Sequence, residues 1–322
     1  MNKKKNTRSI LILLILGLFI ITAAGAYALI SPMSNNGKTN YVYIDADDNV
    51  DSVMNKLRPS SKGISLNVFS ALTTYTGYGE NIRTGRYAVS STTSTLQTFR
   101  NFRNGMQSPI SLVVPSVRTK ERLAEELASH LMLDREELLD AINDEEICKK
   151  YGMDTLTIQC LFIPNTYDVY WNVSVEKFLD RMKKEYDRFW TAERKNKAEA
   201  IGMRQQEVIT LASIIDEETV NNAEKPMVAG MYINRLKINM PLQADPTIKY
   251  AWRRFDLKRI YHKLLFIDSP YNTYRNTGLP PGPIRIPSIA GIDAVLNHVN
   301  HEYIYMCAKE DFSGTHNFAA TY

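Results

Sequence analysis

The chain opens with a stretch that has no polar period: Ile10 to Ile30 carries no charge. About 21 apolar residues make a helix long enough for a hydrocarbon core roughly 30 Å thick. Beyond it the pattern changes to short alternations and 3.6-residue stripes. Residues 31–40 are polar and rich in turn formers, the composition of a tether. Tyr41 to Ile44 alternates as a strand, and Val50, Val53, Met54 and Leu57 recur at helical spacing behind Asp48 and Asn49 as caps. Residues 68–76 predict a second helix and 83–89 a second strand. Leu96, Phe99 and Phe102 then mark a helix closed by Gly105. Together these form a small α+β unit with no cluster of acids, histidines or cysteines, so a binding or spacer task suits it better than catalysis.

Gln107-Ser-Pro109 reads as a boundary. After it come a strand at 110–114, a helix from Thr119 with Leu123, Leu127 and Leu131 on one face, and another helix around 138–142. The loop at 161–167 is too apolar for a mere linker. One long amphipathic helix is predicted over 175–194, with Phe178, Met182, Tyr186 and Phe189 inward. A helix from Arg204 follows, and Pro226 opens the next, with Met227, Val228, Met231, Tyr232 and Leu236 as its buried stripe. The fold class is α+β throughout, with an N-terminal membrane-crossing helix and a larger, helix-rich second domain.

Composition changes this picture little. The chain has 322 residues, 44% of them hydrophobic and 23% charged, which is an ordinary globular balance. Its formal charge of +4 is matched by Lys3, Lys4, Lys5 and Arg8 ahead of the apolar run, so the remainder is near neutral and no nucleic-acid partner is implied. Those four cations sit on one side only, which keeps residues 1–8 cytoplasmic and sends the rest across the membrane. Ala26-Tyr-Ala28 also resembles a cleavage site, so a removed signal peptide is the competing reading of 9–30. Cys148, Cys160 and Cys307 form no CxxC, the five histidines are scattered, and no metal or other cofactor is expected.

The candidate chemistry sits in Leu211-Ala-Ser-Ile-Ile-Asp-Glu-Glu-Thr219. Val208, Leu211, Ala212 and Ile215 make one apolar stripe, and Glu218 falls on or beside it. Three acids crowd the last turn, where the helix dipole disfavours negative charge, so stability alone does not account for them. A carboxyl half-buried against isoleucines has its pKa raised, as a general acid requires near neutral pH. Glu218 is therefore the candidate acid/base. Downstream, Met240-Pro-Leu-Gln-Ala-Asp-Pro-Thr247 and Ser269-Pro-Tyr-Asn-Thr-Tyr274 hold polar groups and tyrosine faces on stiff backbone, which suits a sugar.

The series ASIIDEET, NRL, MPLQADPT, SPYNTY, GLPPGPI and His316-Asn-Phe318 resembles the MltG-type (YceG-like) endolytic murein transglycosylases over most of 160–322. The resemblance implies the domain layout of a tail at 1–8, an anchor at 9–30, a tether at 31–40, a LysM-like module at 41–107 and a catalytic domain at 108–322. It carries the catalytic carboxyl onto Glu218. Asn234, Arg235, Gln243, Asp245, Thr247, Tyr271, Asn272, Tyr274 and His316 become candidate substrate-binding residues, with Arg235 as a buttress of the loops. The family's Glu-Lys-Glu is Asp216-Glu217-Glu218 here, Pro164-Asn165 replaces Pro-Asp, and His298 stands where a proline is usual. Family members continue for another helix past the position of Tyr322.

The expected reaction cuts the MurNAc-GlcNAc bond of peptidoglycan glycan strands at a membrane face, leaves 1,6-anhydroMurNAc ends and terminates nascent strands. Peptidoglycan synthases are implied partners. A hydrolytic muramidase using Asp216 or Asp245 as a second carboxylate, and a non-catalytic peptidoglycan-binding scaffold, are the competing readings.

Overall fold

The computed structural model describes residues 2–310 and 314–322, with side chains from residue 10 onward, so those of Lys3, Lys4, Lys5 and Arg8 lie outside it. The chain divides into two units, residues 1–110 with 168–172, and residues 111–167 with 173–322.

The first unit begins with helix α1 (Asn2–Ile30). Its segment Ile10–Ile30 is the one helix among the described residues long and apolar enough to cross a membrane. Strand β1 (Asn40–Ile44), helices α2 (Val50–Leu57) and α3 (Gly63–Thr76), strand β2 (Gly85–Val89) and helix α4 (Thr95–Asn104) follow. The strands pair antiparallel with Val42 opposite Tyr87, so Val42, Ile44, Tyr87 and Val89 point into one core. That core is closed by Phe69, Phe99 and Phe102, with Phe69 edge-on to both phenylalanines of α4. Asn49 caps α2 and Ser94 caps α4 through their side chains. Helix α3 starts five residues ahead of the predicted 68, because Gly63-Ile-Ser-Leu continues its buried face through Ser65 and Leu66. The tether is also more ordered than its composition predicts. Met33 is fully buried in the core and the Ser31 carbonyl accepts from the Thr95 amide at 2.9 Å, so residues 31–34 are docked on this unit.

Strand β3 (Ile110–Val113) enters the second unit at Ser111 and leads into helices α5 (Lys120–Ala128), α6 (Arg135–Ala141) and α7 (Glu145–Lys150), capped by Thr119, Asp134 and Asp144. The apolar loop at 161–167 is buried at Leu161, Phe162 and Ile163, and enters strand β4 (Thr166–Val169). The single helix predicted over 175–194 is two, α8 (Val175–Phe189) and α9 (Ala192–Ala200). Trp190, 1% exposed, leaves helical geometry, and the Thr191 side chain caps the new start by accepting from the Arg194 amide.

Helix α10 (Gln205–Glu218) runs through the middle of this unit, and nine of its residues from Val208 to Asp216 are buried. It packs against α11 (Lys225–Lys237), α12 (Asp245–Ala251) and α13 (Ile289–Leu296). A hairpin of β5 (Tyr305–Ala308) and β6 (His316–Ala319) follows.

Candidate active site

The three acids that end α10 meet three different environments. Asp216 is 8% exposed and pairs with the buried Lys225 ammonium at 2.7 Å. Its two oxygens also accept from the Ser288 backbone amide and hydroxyl at the start of α13. Glu217 is gripped by Arg118 through two bonds of 2.8 and 2.9 Å, and by Arg285 at 2.9 Å. Both carboxylates are thus neutralised, which answers the unfavourable dipole at the helix end.

Glu218 has no such cation in contact. Its Oε1 accepts a hydrogen bond of 2.7 Å from the hydroxyl of Tyr232, a residue 1% exposed on α11. Desolvation raises the Glu218 pKa from the ordinary 4.5 to about 7. The Tyr232 hydroxyl opposes that rise, the charge of Asp245 adds to it, and His316 and Lys249 oppose it more weakly. The residue as a whole keeps part of its surface in solvent, while its carboxyl is desolvated.

The loops expected to read substrate divide into exposed contacts and buried supports. Gln243 and Asp245 are exposed. Gln243 takes a φ of 50°, a left-handed conformation that its backbone bond to the Thr273 carbonyl holds at 2.9 Å. Asp245 does not lie in the rigid loop expected at 240–247 but is the first residue of α12, with Pro246 following it. Its Oδ1 accepts from the Tyr274 hydroxyl at 2.6 Å. Thr247 and Asn272 are fully buried. Thr247 donates to the Ala244 carbonyl and bonds Thr273 Oγ1, while Asn272 donates to the carbonyls of Leu265 and Ile267. Their side chains shape the loops from beneath.

Arg235, 7% exposed, donates to the Ile304 carbonyl at 2.6 Å and to the Leu242 carbonyl, joining the 240–247 segment to the approach to β5. Asn234 donates to the carbonyls of His301 and Tyr303. His316 on β6 is tied to Glu224, its backbone amide at 2.6 Å and its ring at 3.1 Å. Tyr271 packs on Tyr250 with ring centres 4.7 Å apart and lines a separate cavity.

Tyr232, Lys225, Arg118 and Arg285 were not singled out as site residues by the sequence. For Tyr232 a signal existed, since a tyrosine in an otherwise apolar stripe must place its hydroxyl on a partner. The cations are 99 and 68 residues from Glu217 in the case of Arg118 and Arg285, and no local pattern joins them to it.

A desolvated carboxyl braced by a tyrosine, beside exposed polar side chains on stiff loops, is an arrangement that can do general acid/base chemistry. The profile of the YceG-like family matches residues 42–322, and the chain belongs to that family. A curated relative in Bacillus subtilis (strain 168), named endolytic murein transglycosylase, is 44% identical over 104 residues, 32% of this chain and 29% of its own length. A relative of the same name in Streptococcus pneumoniae is 25% identical over 276 residues, 75% of this chain and 49% of its own length. The chain spans about half or less of these relatives. A solved yceG-like protein from Listeria monocytogenes is 27% identical with a TM-score of 0.57, over 88% of this chain and 96% of that one.

Proposed function

We propose that the chain is a peptidoglycan lytic transglycosylase that cuts glycan strands internally, with Glu218 as its acid/base. The observation that carries this reading is the sorting of the three acids: Asp216 and Glu217 are paired with cations, while Glu218 has no cation in contact and its carboxyl is lifted to about 7 by desolvation. The relatives' shared name, endolytic murein transglycosylase, supplies the substrate class.

With Oε1 taken by the Tyr232 hydroxyl, the acid proton sits on Oε2. Glu218 gives that proton to the oxygen linking MurNAc to GlcNAc as the bond to the anomeric carbon breaks. The resulting carboxylate then accepts the proton of the C6 hydroxyl as that oxygen closes on the anomeric carbon, leaving a 1,6-anhydroMurNAc end. One carboxyl serves both steps, unlike the pair an ordinary glycosidase needs. General acid/base catalysis of this kind contributes about 10² to 10⁴ in rate. Gln243, Asp245 and Tyr274 contact the sugars in this reading, and Thr247, Asn272, Arg235, Asn234 and His316 keep the loops and hairpin in place around them. Tyr271 serves a neighbouring pocket.

Helix α1 supports a single-pass anchor that keeps the catalytic unit on the outer face of the cytoplasmic membrane, where new strands emerge, so termination of nascent strands is the natural task. The β1-α2-α3-β2 order of the first unit supports a LysM-like, glycan-holding module. Peptidoglycan synthases are fitting partners on the same ground of location.

The test is mass spectrometry of fragments from uncross-linked glycan strands incubated with the full chain in detergent, beside Glu218→Gln. Internal fragments with 1,6-anhydroMurNAc ends, absent in the variant, are expected. Reducing ends would instead assign a hydrolase with Asp245 as second carboxylate, since Asp216 is already spent. Glycan binding without cleavage would assign a scaffold.

A further inference from the structure

Tyr271, drawn by its loop into the search for sugar contacts, faces a different space. A cavity of about 180 Å³ is lined in part by Lys120, Asn143, Gln159, Tyr250, Arg253 and Tyr271. It has room for several waters or for one terminal amino acid. It shares elements with the acid site: Tyr250 stands five residues along α12 from Asp245, and Lys120 comes two residues after the Arg118 that grips Glu217.

The chemistry of its wall is unbalanced toward donors. Gln159 is 2% exposed and its amide nitrogen has no hydrogen-bond partner, a costly state for a buried donor. The Lys120 ammonium spends two of its three protons on neutral acceptors, the Ile142 carbonyl at 2.9 Å and Asn143 Oδ1 at 2.7 Å. Burial pulls its pKa below the ordinary value, so an arriving anion would relieve its poor solvation. Arg253 is held through one nitrogen by Glu121 at 2.8 Å, on a backbone with φ of 51°, which leaves other N–H groups of its fork to give. The wall also carries the Glu121 carboxylate, whose Oε2 accepts from Arg253, and Asn143 Oδ1 accepts from Lys120, so two cations face one acid there. The paired rings of Tyr250 and Tyr271 supply an apolar wall.

We propose that this cavity takes the terminal carboxylate of a peptide carried by the glycan, with Lys120, Gln159 and Arg253 as donors. The assignment of the peptide's carrier rests on the peptidoglycan reading above; the carboxylate chemistry does not. A strand positioned at Glu218 would then be selected partly by the free end of its peptide, because a cross-link made through that carboxyl converts it to an amide.

The experiment is calorimetric titration of the full chain in detergent with acetyl-Lys-D-Ala-D-Ala, with the same peptide as its C-terminal amide, and with sodium acetate. The acid should bind at least about tenfold more tightly than the amide, as expected when charge-assisted hydrogen bonds are lost, and acetate should bind far more weakly than the peptide. Gln159→Leu and Arg253→Met should each weaken the peptide about tenfold while thermal unfolding stays cooperative. Equal binding of acid and amide, no binding of the acid, or acetate as tight as the peptide overturns the proposal. Cleavage of peptide-bearing and peptide-stripped strands is measured in parallel. A chain that binds the acid but cleaves neither strand refutes the transglycosylase and keeps the pocket; one that cleaves both equally and binds no peptide does the reverse.

Discussion

Glu218→Gln should make the protein more stable at alkaline pH, although in the proposed reaction the same change removes the acid. The Glu218 pKa is 4.5 in an unstructured setting and about 7 in the fold, chiefly because its carboxyl is desolvated. Between those values the folded chain keeps a proton that the unfolded chain has released. The contribution of this group is therefore fully present below about pH 4.5 and is lost as pH rises through 7. At about 1.4 kcal/mol for each pH unit, the gap amounts to about 3 kcal/mol. The amide carries no charge at any pH, and its oxygen can still accept from Tyr232. The two proteins should thus unfold alike near pH 4, while at pH 8 to 9 the variant should be ahead by about 3 kcal/mol, or roughly 6–12 °C in a unit of this size. Denaturant unfolding followed by tryptophan fluorescence measures it, with Trp190, 1% exposed in the second unit, as a reporter. Parallel pH profiles for the two proteins, or a variant that is weaker at pH 8, would refute the claim that Glu218 is held protonated by its surroundings.

Two further outcomes follow from neighbouring contacts. Tyr232→Phe removes the one side-chain bond that favours the ionised form of Glu218; a hydrogen bond to a charged group is worth about 1.5–3 kcal/mol, so the alkaline limb of the pH–rate profile should move up by about 1–2 pH units, and an unmoved limb would contradict the geometry. Lys225→Met leaves Asp216 as an unpaired buried charge and should cost about 3–5 kcal/mol of stability, read by urea unfolding, with Asp216→Asn in the same background recovering part of the loss.

The helix that carries Glu218 was legible because a helix period is a local property, but the fold buries nine consecutive residues from Val208 to Asp216, all round the helix rather than along the one stripe of Val208, Leu211 and Ile215. What neutralises its neighbours was not legible, since Arg285 reaches Glu217 from 68 residues away and Lys225 reaches Asp216 across a turn. Other departures have local causes that sequence periodicity under-weighs. Thr191 stops a stripe that otherwise continues from Phe178 to Arg194, because one capping side chain outcompetes further helix. Asp245-Pro-Thr247, read as loop from its prolines, opens α12, where a proline in the first turn loses no hydrogen bond. Met33, a single apolar residue in a polar stretch, docks the tether together with backbone bonds such as that from the Thr95 amide to the Ser31 carbonyl. Thr247 and Asn272 looked like sugar contacts because polar side chains on stiff loops serve either face, and only burial tells the inner from the outer.

The end of α10 has a consequence for substitution. Adjacent helix residues differ by about 100° in direction, so Asp216, Glu217 and Glu218 aim at three separate neighbourhoods despite lying side by side. An acid moved back by one position would meet the guanidinium groups of Arg118 and Arg285. In the proposed reaction, loss of Glu218 therefore has no understudy in the two acids beside it, and a deletion or insertion in the preceding turn should be as disabling as removal of the carboxyl itself.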